Sequence, residues 1–462
     1  MDWPNTHLRF PQRDKGLFYY EQRRSFIVRK TLTDGVVKKW EVTTDKDWDE
    51  SLHEAFRDDG RQTPGITAVL AARASDDADS QAQGDNPMLL EHLPFSRAVF
   101  DGITDNFFVH PSITQAIQRL GPSFSRTHLK LGDPLGPAIA YVCRGSNAWP
   151  GDIALSATHF PSTGLTYAVF FGCEFDEKPA RVTALKSGDR ITGLLSNSES
   201  TVAHPMLLVG IFAEIELRRH MPIVKKAVAG LLGTVDDVTA GEAGQEESHA
   251  IKPWVNMQFI KIKLEAWRRE LEKMVAHVEE LSRTLYQASE VVPREGDIDP
   301  LTLQPYTAAQ ITAFKIEEER RASLRATGER IKERLQDITN QYHEMISMSR
   351  MTMEGLTMAT QLANTRTNTE IAEKTKKDGE QMKSIAILTM VFLPATFLAT
   401  FFSMSFFKWD VPEGDVISRN IWVYFLITTC LTLGLYVWWS KTQSRRAANK
   451  GDVESGQGCK AL

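Results

Sequence analysis

Cysteine is scarce in this chain. Only Cys143, Cys173, Cys430 and Cys459 occur in 462 residues, and none has metal-ligand spacing. That usage fits a reduced, cytosolic compartment. No P-loop, H-E-x-x-H, C-x-x-C or G-x-S-x-G motif is present, so an ATP-driven pump has no support, and neither an enzyme nor a resident cofactor is expected. Basic residues are not in excess. Lys and Arg number 54 against 59 Asp and Glu, a formal net charge of −5, which argues against nucleic acid as a partner. The opening MDWPNTHLRF lacks an apolar run, so no signal peptide is expected.

Two stretches lack charge altogether, Ile385–Phe407 and Ile421–Trp439. At 1.5 Å per residue each reaches roughly 28–35 Å, enough to cross a bilayer core of about 30 Å. Trp409 and Trp422 flank one boundary, and Trp438 and Trp439 the other, as expected of interfacial aromatics. The lipid bilayer is therefore the first expected partner. Lys374, Lys376, Lys377 and Lys383 precede the first span, and Lys441, Arg445, Arg446 and Lys450 follow the second. The positive-inside rule then puts both termini in the cytoplasm and residues 408–420 outside. Which membrane is spanned does not follow from these residues. The loop holds Lys408 and Arg419 against Asp410, Glu413 and Asp415, a formal charge of −1.

The pattern predicts an α+β membrane protein. Residues 1–204 form a cytoplasmic α/β domain, with strands over Ser25–Thr33, Val36–Thr43, Ile66–Ala74, Thr127–Leu131, Ala138–Arg144, Asp152–Ala157 and Leu165–Gly172. Asp34-Gly35 predicts a two-residue hairpin turn, Thr44 a helix cap, and residues 112–120 a short helix. Residues 76–87 are polar and acidic, and read as a disordered excursion. A helical region follows over 205–306, interrupted by a Gly-rich acidic linker at 233–248. A stalk helix over 307–384 runs on without proline until Pro394. It carries a heptad seam of Leu324, Ile331, Ile338 and Met345 beside Leu335, Tyr342 and Leu356, weakened by Gly328 and Ser349; such a seam packs on its own chain or on neighbouring subunits. Spans at 385–407 and 421–439 and a cytoplasmic tail at 440–462 complete the chain. Cys459-Lys460-Ala461-Leu462 is formally a prenylation box, but a two-span protein hardly needs the lipid.

Polar residues in the first span share one face. Thr389, Thr396, Thr400 and Ser403 differ by 7, 4 and 3 positions, and Met382, Ile385 and Leu393 fall close to the same stripe. A polar stripe in a membrane faces protein or water. Either the hydroxyls bond back to their own helix or a neighbour, or they line a pore. Two helices cannot enclose a pore, so the second alternative needs a ring of subunits. Thr428, Thr429, Cys430 and Thr432 in the second span are clustered rather than striped, which predicts a lipid-facing helix.

The run Phe392-Leu393-Pro394-Ala395-Thr396-Phe397-Leu398-Ala399, followed by Phe402-Ser403-Met404-Ser405-Phe406, resembles the CorA-type magnesium transporter family. There an F-[LM]-P-L-T-F-I-A run precedes Y-G-M-N-F. Val411-Pro412-Glu413 resembles that family's M-P-E. His110-Pro111-Ser112, Leu165–Glu174 and Phe212-Ala213-Glu214-Ile215-Glu216 are similar to its divergent fungal branch. The resemblance implies a homo-oligomer, a pentamer, that passes a divalent cation of the Mg²⁺ type. Ser403, Met404 and Ser405 stand where the family has G-M-N, so Ser405 replaces the asparagine that first meets the hydrated cation. A serine offers one short hydroxyl in place of an amide. That departure keeps two alternatives open: a non-conducting sensor or scaffold, and a transporter of Zn²⁺, Ni²⁺ or Co²⁺. In the family a cation between cytoplasmic domains holds the channel closed. Oxygen ligands suit that task, and Glu370, Glu373, Asp378 and Glu380 lie near the inner mouth. Beside Lys374, Lys376 and Lys377 the same carboxylates also read as a charge-balanced, solvated helix.

Overall fold

The computed structural model describes residues 10–56, 63–73, 90–119, 121–131, 136–176, 186–198, 203–240, 248–288, 293–294, 297–298, 304–403 and 421–457. The chain divides into two compact units, Met1–Thr360 and Gln361–Leu462. The elements are α1 (Gln12–Lys15), β1 (Tyr19–Tyr20), β2 (Ser25–Thr31), β3 (Lys38–Val42), α2 (Asp45–Phe56), β4 (Gly65–Ala72), β5 (His92–Leu93), α3 (Arg97–Asn106), α4 (Ser112–Gln118), β6 (Ser123–Lys130), β7 (Pro137–Arg144), β8 (Ala154–Phe160), β9 (Leu165–Cys173), α5 (Ser187–Ser196), α6 (Leu207–Ala240), α7 (Ser248–Thr284), α8 (Ala308–Phe402) and α9 (Ile421–Gln457).

The first unit is built on a seven-stranded sheet ordered β3-β2-β4-β9-β8-β7-β6. Only β4 and β9 pair in parallel; the other neighbours are antiparallel. Both faces are covered, which is why β9 reads as an unbroken apolar run and is buried throughout. Alternation sends Phe26, Ile66, Leu70, Tyr141, Leu155 and Phe170 to the face packed by α5, α6, α7 and α8. It sends Ile27, Val69, Val142, Val169 and Phe171 to the face packed by α2, α3 and α4.

Local signals explain the element ends. Thr44 and Asp47 form a reciprocal cap on α2: the Thr44 N–H donates to Asp47 Oδ2 at 2.8 Å and the Asp47 N–H to Thr44 Oγ1 at 3.3 Å. Those bonds hold the Asp47 carboxyl below its usual range. His110 starts α4, its Nδ1 accepting from the Ser112 N–H at 3.2 Å. Buried Lys30 donates to the Leu195 and Ser196 carbonyls at 2.8 Å each, at the C-terminal end of α5.

Three expectations change. The β2–β3 connection is longer than a two-residue turn: pairing stops at Arg29 opposite Lys38. Gly35 has positive φ but Asp34 does not, whereas a type I′ turn needs both. Helix α6 continues to Ala240, so the first part of the expected 233–248 linker is helical. Helix α9 continues to Gln457, well into the expected tail. The acidic excursion at 76–87 lies outside the described residues.

Helix α8 starts at Ala308 and carries the heptad seam as read from its spacing. Leu324, Ile331, Leu335, Ile338, Tyr342, Ser349 and Leu356 are all buried within the single chain. Gly328 does not weaken the seam but permits it. A Cβ there would sit 3.1 Å from His204 Nε2 and 3.4 Å from Ser282 Oγ, so the glycine lets α7 and the start of α6 approach. Two helices, α8 and α9, each carry a stretch long and apolar enough to cross a membrane.

Candidate functional site

In the second unit α8 and α9 pack along one face each. On α8, Pro394 and Leu398 are buried and Ile387, Met390 and Ala395 half-buried. On α9, Tyr424, Ile427, Thr428, Thr432, Leu435 and Trp439 are half-buried. Thr428 and Thr432 therefore face α8 rather than lipid, while Thr429 and Cys430 stay exposed. Tyr424 Oη donates to the Ala395 carbonyl at 3.1 Å, tying the helices beside Pro394. Lys383 Nζ lies 5.9 Å from the Trp439 ring centroid, a cation–π contact.

The predicted stripe lies elsewhere. Met382, Ile385, Thr389, Leu393, Thr396, Thr400 and Ser403 are all exposed in the single chain. At about 100° per residue they centre roughly opposite the face that holds α9. Thr389, Thr396 and Thr400 donate to the carbonyls of Ile385, Phe392 and Thr396 at 2.7, 2.6 and 2.7 Å. Each hydroxyl thus spends its proton on its own helix and keeps oxygen lone pairs for an acceptor role. Met404, Ser405, Asp410, Glu413 and Asp415 lie outside the described residues.

The acidic candidates sit on α8. Glu370, Glu373, Asp378 and Glu380 are exposed, and Glu373 pairs with Lys377 at 3.2 Å. Among the described residues, no group of three or more His, Cys, Asp or Glu is placed to hold a metal ion.

The first unit holds a buried polar network that the sequence reading missed. Glu216 on α6 is fully buried, and Arg219 grips it with Nε–Oε1 at 3.0 Å and Nη2–Oε2 at 2.6 Å. Arg219 also donates to the carbonyls of Trp149 at 3.1 Å and Ser146 at 3.0 Å. The β7–β8 loop is thereby fastened to α6. The next residue, His220, meets Tyr342 of α8, Nδ1 to Oη, at 2.8 Å. Its Nε2 is 3.3 Å from Glu216 Oε2, without the alignment of a hydrogen bond. Burial pushes the Glu216 carboxyl up, with Arg219 pulling the other way. Burial would lower the Arg219 guanidinium, but Glu216 outweighs it and the net is upward. We read the pair as charged, because two aligned bonds compensate the buried charges. Burial, then Arg219, pushes His220 well below its ordinary value, so its imidazole is neutral. One signal was available: Glu216, Arg219 and His220 interrupt an otherwise apolar helix face at i, i+3 and i+4.

Residues 260–441 match the family described as CorA-like Mg2+ transporter protein. That match covers less than half of the chain and takes in most of α7, all of α8 and the apolar part of α9. No curated protein matches the chain. Among solved structures, it is similar to the full-length CmaX protein, at 14% identity over 92% of this chain and 99% of that one, with a TM-score of 0.33. It is similar to the complete CorA magnesium transporter from Methanocaldococcus jannaschii, at 12% identity over 89% and 96%, TM-score 0.32. It is also similar to the ZntB cytoplasmic domain from Vibrio parahaemolyticus RIMD 2210633, at 12% identity over 70% and 98%, TM-score 0.23. Such TM-scores transfer no residue roles.

Proposed function

We propose that this chain is a CorA-like membrane protein: a passive, homo-oligomeric channel or transporter for a divalent cation of the Mg²⁺ type. One observation carries the reading. Within the region matched to the family, the hydroxyl stripe of α8 is turned away from α9, the other span of its own chain. The threonines of the stripe bond their protons to their own helix, but the polar face they form is one that no described element of the same chain covers. A ring of copies with α8 inside and α9 outside encloses it. The family resemblance makes that ring five-fold.

In this arrangement Thr389, Leu393, Thr396, Thr400 and Ser403 line the lumen. The threonine oxygens, their protons engaged with carbonyls, present lone pairs, the donor type a hard cation prefers. Met382 and Ile385 form an apolar constriction toward the cytoplasm. Ser403, Met404 and Ser405 stand at the outer mouth. Both termini lie in the cytoplasm. Asp410, Glu413 and Asp415 give the outer loop its formal charge of −1 per chain, which five copies multiply into a field that concentrates cations and weakens with salt. Carboxylates among Glu370, Glu373, Asp378 and Glu380 bind cation between copies and hold the pore closed.

Serine in place of the family asparagine at Ser405 favours a second reading, in which the assembly senses or scaffolds without conducting, or passes Zn²⁺, Ni²⁺ or Co²⁺. Flux of divalent ions through the purified protein in liposomes separates these. Wild type should conduct Mg²⁺ and Thr396→Leu should not. Mg²⁺ flux only with Ser405→Asn would mean that the natural protein has lost or changed this activity. Absence of all divalent flux from an intact oligomer would leave the sensor reading.

A further inference from the structure

The first unit contains a groove that the transport reading does not use. It lies between α6 and α7, where the first turns of α7 approach the second half of α6. Its volume is about 590 Å³, within the range of small-molecule sites. Trp149, Ile223, Leu231 and Ile260 supply an apolar floor; Lys226, Lys252 and Asn256 stand at its rim. The two lysines come from different helices yet line one groove. Neither has an ion-pair or hydrogen-bond partner among the described residues, although most other lysines and arginines in the helical part of this unit are paired. Among the described residues no carboxylate lines the groove. Two ammonium groups on one rim, with no described carboxylate among the lining residues, favour an anion there.

We propose that the α6/α7 groove binds an organic phosphate monoester, with its apolar body against Trp149, Ile223, Leu231 and Ile260 and its phosphate between Lys226 and Lys252. A phosphate monoester carries about −1.5 to −2 charges near neutrality, which matches two ammonium groups, whereas a carboxylate leaves one unpaired. The Asn256 amide supplies a further donor to the third oxygen. Inorganic phosphate satisfies the rim alone and leaves the floor wet; a neutral aromatic satisfies the floor alone. The floor is also next to the stalk, because the Trp149 ring meets His220 edge-on at 4.7 Å and His220 meets Tyr342 of α8. This site stands independently of the transport reading.

The test uses the full chain in lipid nanodiscs and phenyl phosphate as probe, followed by titration calorimetry, with phenol and inorganic phosphate as controls. Saturable binding of one phenyl phosphate per chain is expected, tighter than either control and weakening as NaCl is raised. Lys226→Gln and Lys252→Gln should each weaken it about tenfold, one charge-assisted contact apiece. Both side chains are on the surface, so folding is preserved, and circular dichroism verifies it. Three outcomes overturn the proposal: no saturable binding, binding unchanged in the double variant, or inorganic phosphate binding as tightly as phenyl phosphate, which would mean an adventitious ion only. If the double variant alters subunit assembly and phenyl phosphate does not bind, the groove is a contact between copies and the proposal also falls.

Discussion

Replacing Gly145 by alanine adds one methyl group where the first unit has no room for it. A Cβ at that position would lie 2.2 Å from Glu216 Oε2, 2.5 Å from its Cδ and 2.6 Å from its Oε1. Relief by a side-chain swing is blocked, since Glu216 is fully buried and both its oxygens are bonded to Arg219. Arg219 is in turn held by the carbonyls of Ser146 and Trp149. Either the β7–β8 loop moves off α6 or the ion pair opens. Overpacking of this kind costs about 1–3 kcal/mol, and breaking a buried pair about 3–5 kcal/mol. The cheaper route sets the loss, so Gly145→Ala should destabilise the unit by about 1–3 kcal/mol. Hydrogen exchange of the full chain, resolved over residues 145–151 and α6, reads the local opening free energy. Glu216→Asp withdraws the carboxylate by one methylene, so the double variant should lose about 1 kcal/mol less than the sum of the two single losses. Gly233→Ala is the control: a Cβ there meets nothing within 4 Å on exposed α6, and helix propensity predicts a gain of up to about 1 kcal/mol. A Gly145→Ala effect within about 0.5 kcal/mol of zero would refute the steric argument.

Acid should weaken the first unit well above the carboxylate range. Burial, foremost, lowers His159 and His204 to about 3 and His277 to about 4. The unfolded chain therefore takes up these protons first as pH falls through about 6.5, and stability drops by about 1.4 kcal/mol per pH unit for each histidine down to its folded value. Glu216, shifted up by burial, works in the opposite sense, but one carboxyl opposes three imidazoles. Denaturant midpoints that stay flat between pH 7.5 and 5.5 would contradict this. Tyr424→Phe removes the bond to the Ala395 carbonyl and should loosen the α8–α9 hairpin by about 0.6–1.7 kcal/mol, the usual worth of such a bond in a membrane. Thermal unfolding of the detergent-solubilised protein measures it, and an unchanged midpoint would show that packing at Pro394 and Leu398 suffices.

Much of the fold was legible because local and global signals agree. The long helix is readable from the absence of proline between its start and Pro394, and its seam from residues seven apart. Burial on both faces made β9 an unbroken apolar run, and such a strand is recognised by its length and its β-branched and aromatic content. What failed did so for identifiable reasons. Gly233 and its acidic neighbours read as a linker because glycine weakens a helix by only about 1 kcal/mol, which a long, well-nucleated helix absorbs. Asp34-Gly35 read as a tight turn because the dipeptide permits one; Gly35 takes the positive φ alone, and the strand ladder ends earlier. Gly328 read as a defect because spacing cannot show what stands opposite. Its missing Cβ is the room that His204 and Ser282 occupy.

The site divides along the same line. Spacing alone placed Thr389, Thr396, Thr400 and Ser403 on one face, since a helix converts sequence intervals into angle without help from tertiary structure. Which face of the second span meets the first could not be read in that way. Thr428 and Thr432 turn toward α8 together with Tyr424, Leu435 and Trp439, half-buried on the same stripe; Tyr424 meets α8 beside Pro394 and Trp439 meets it near Lys383. The two threonine hydroxyls, bonded to the carbonyls of Tyr424 and Thr428 at 2.7 and 2.8 Å, enter that contact without an unpaired donor. The same back-bonding on α8 occurs on a face that no described element of its own chain covers. Identical chemistry is thus structural on one helix and available on the other. The difference is set by where the partner helix lies, which requires two helices to be placed at once.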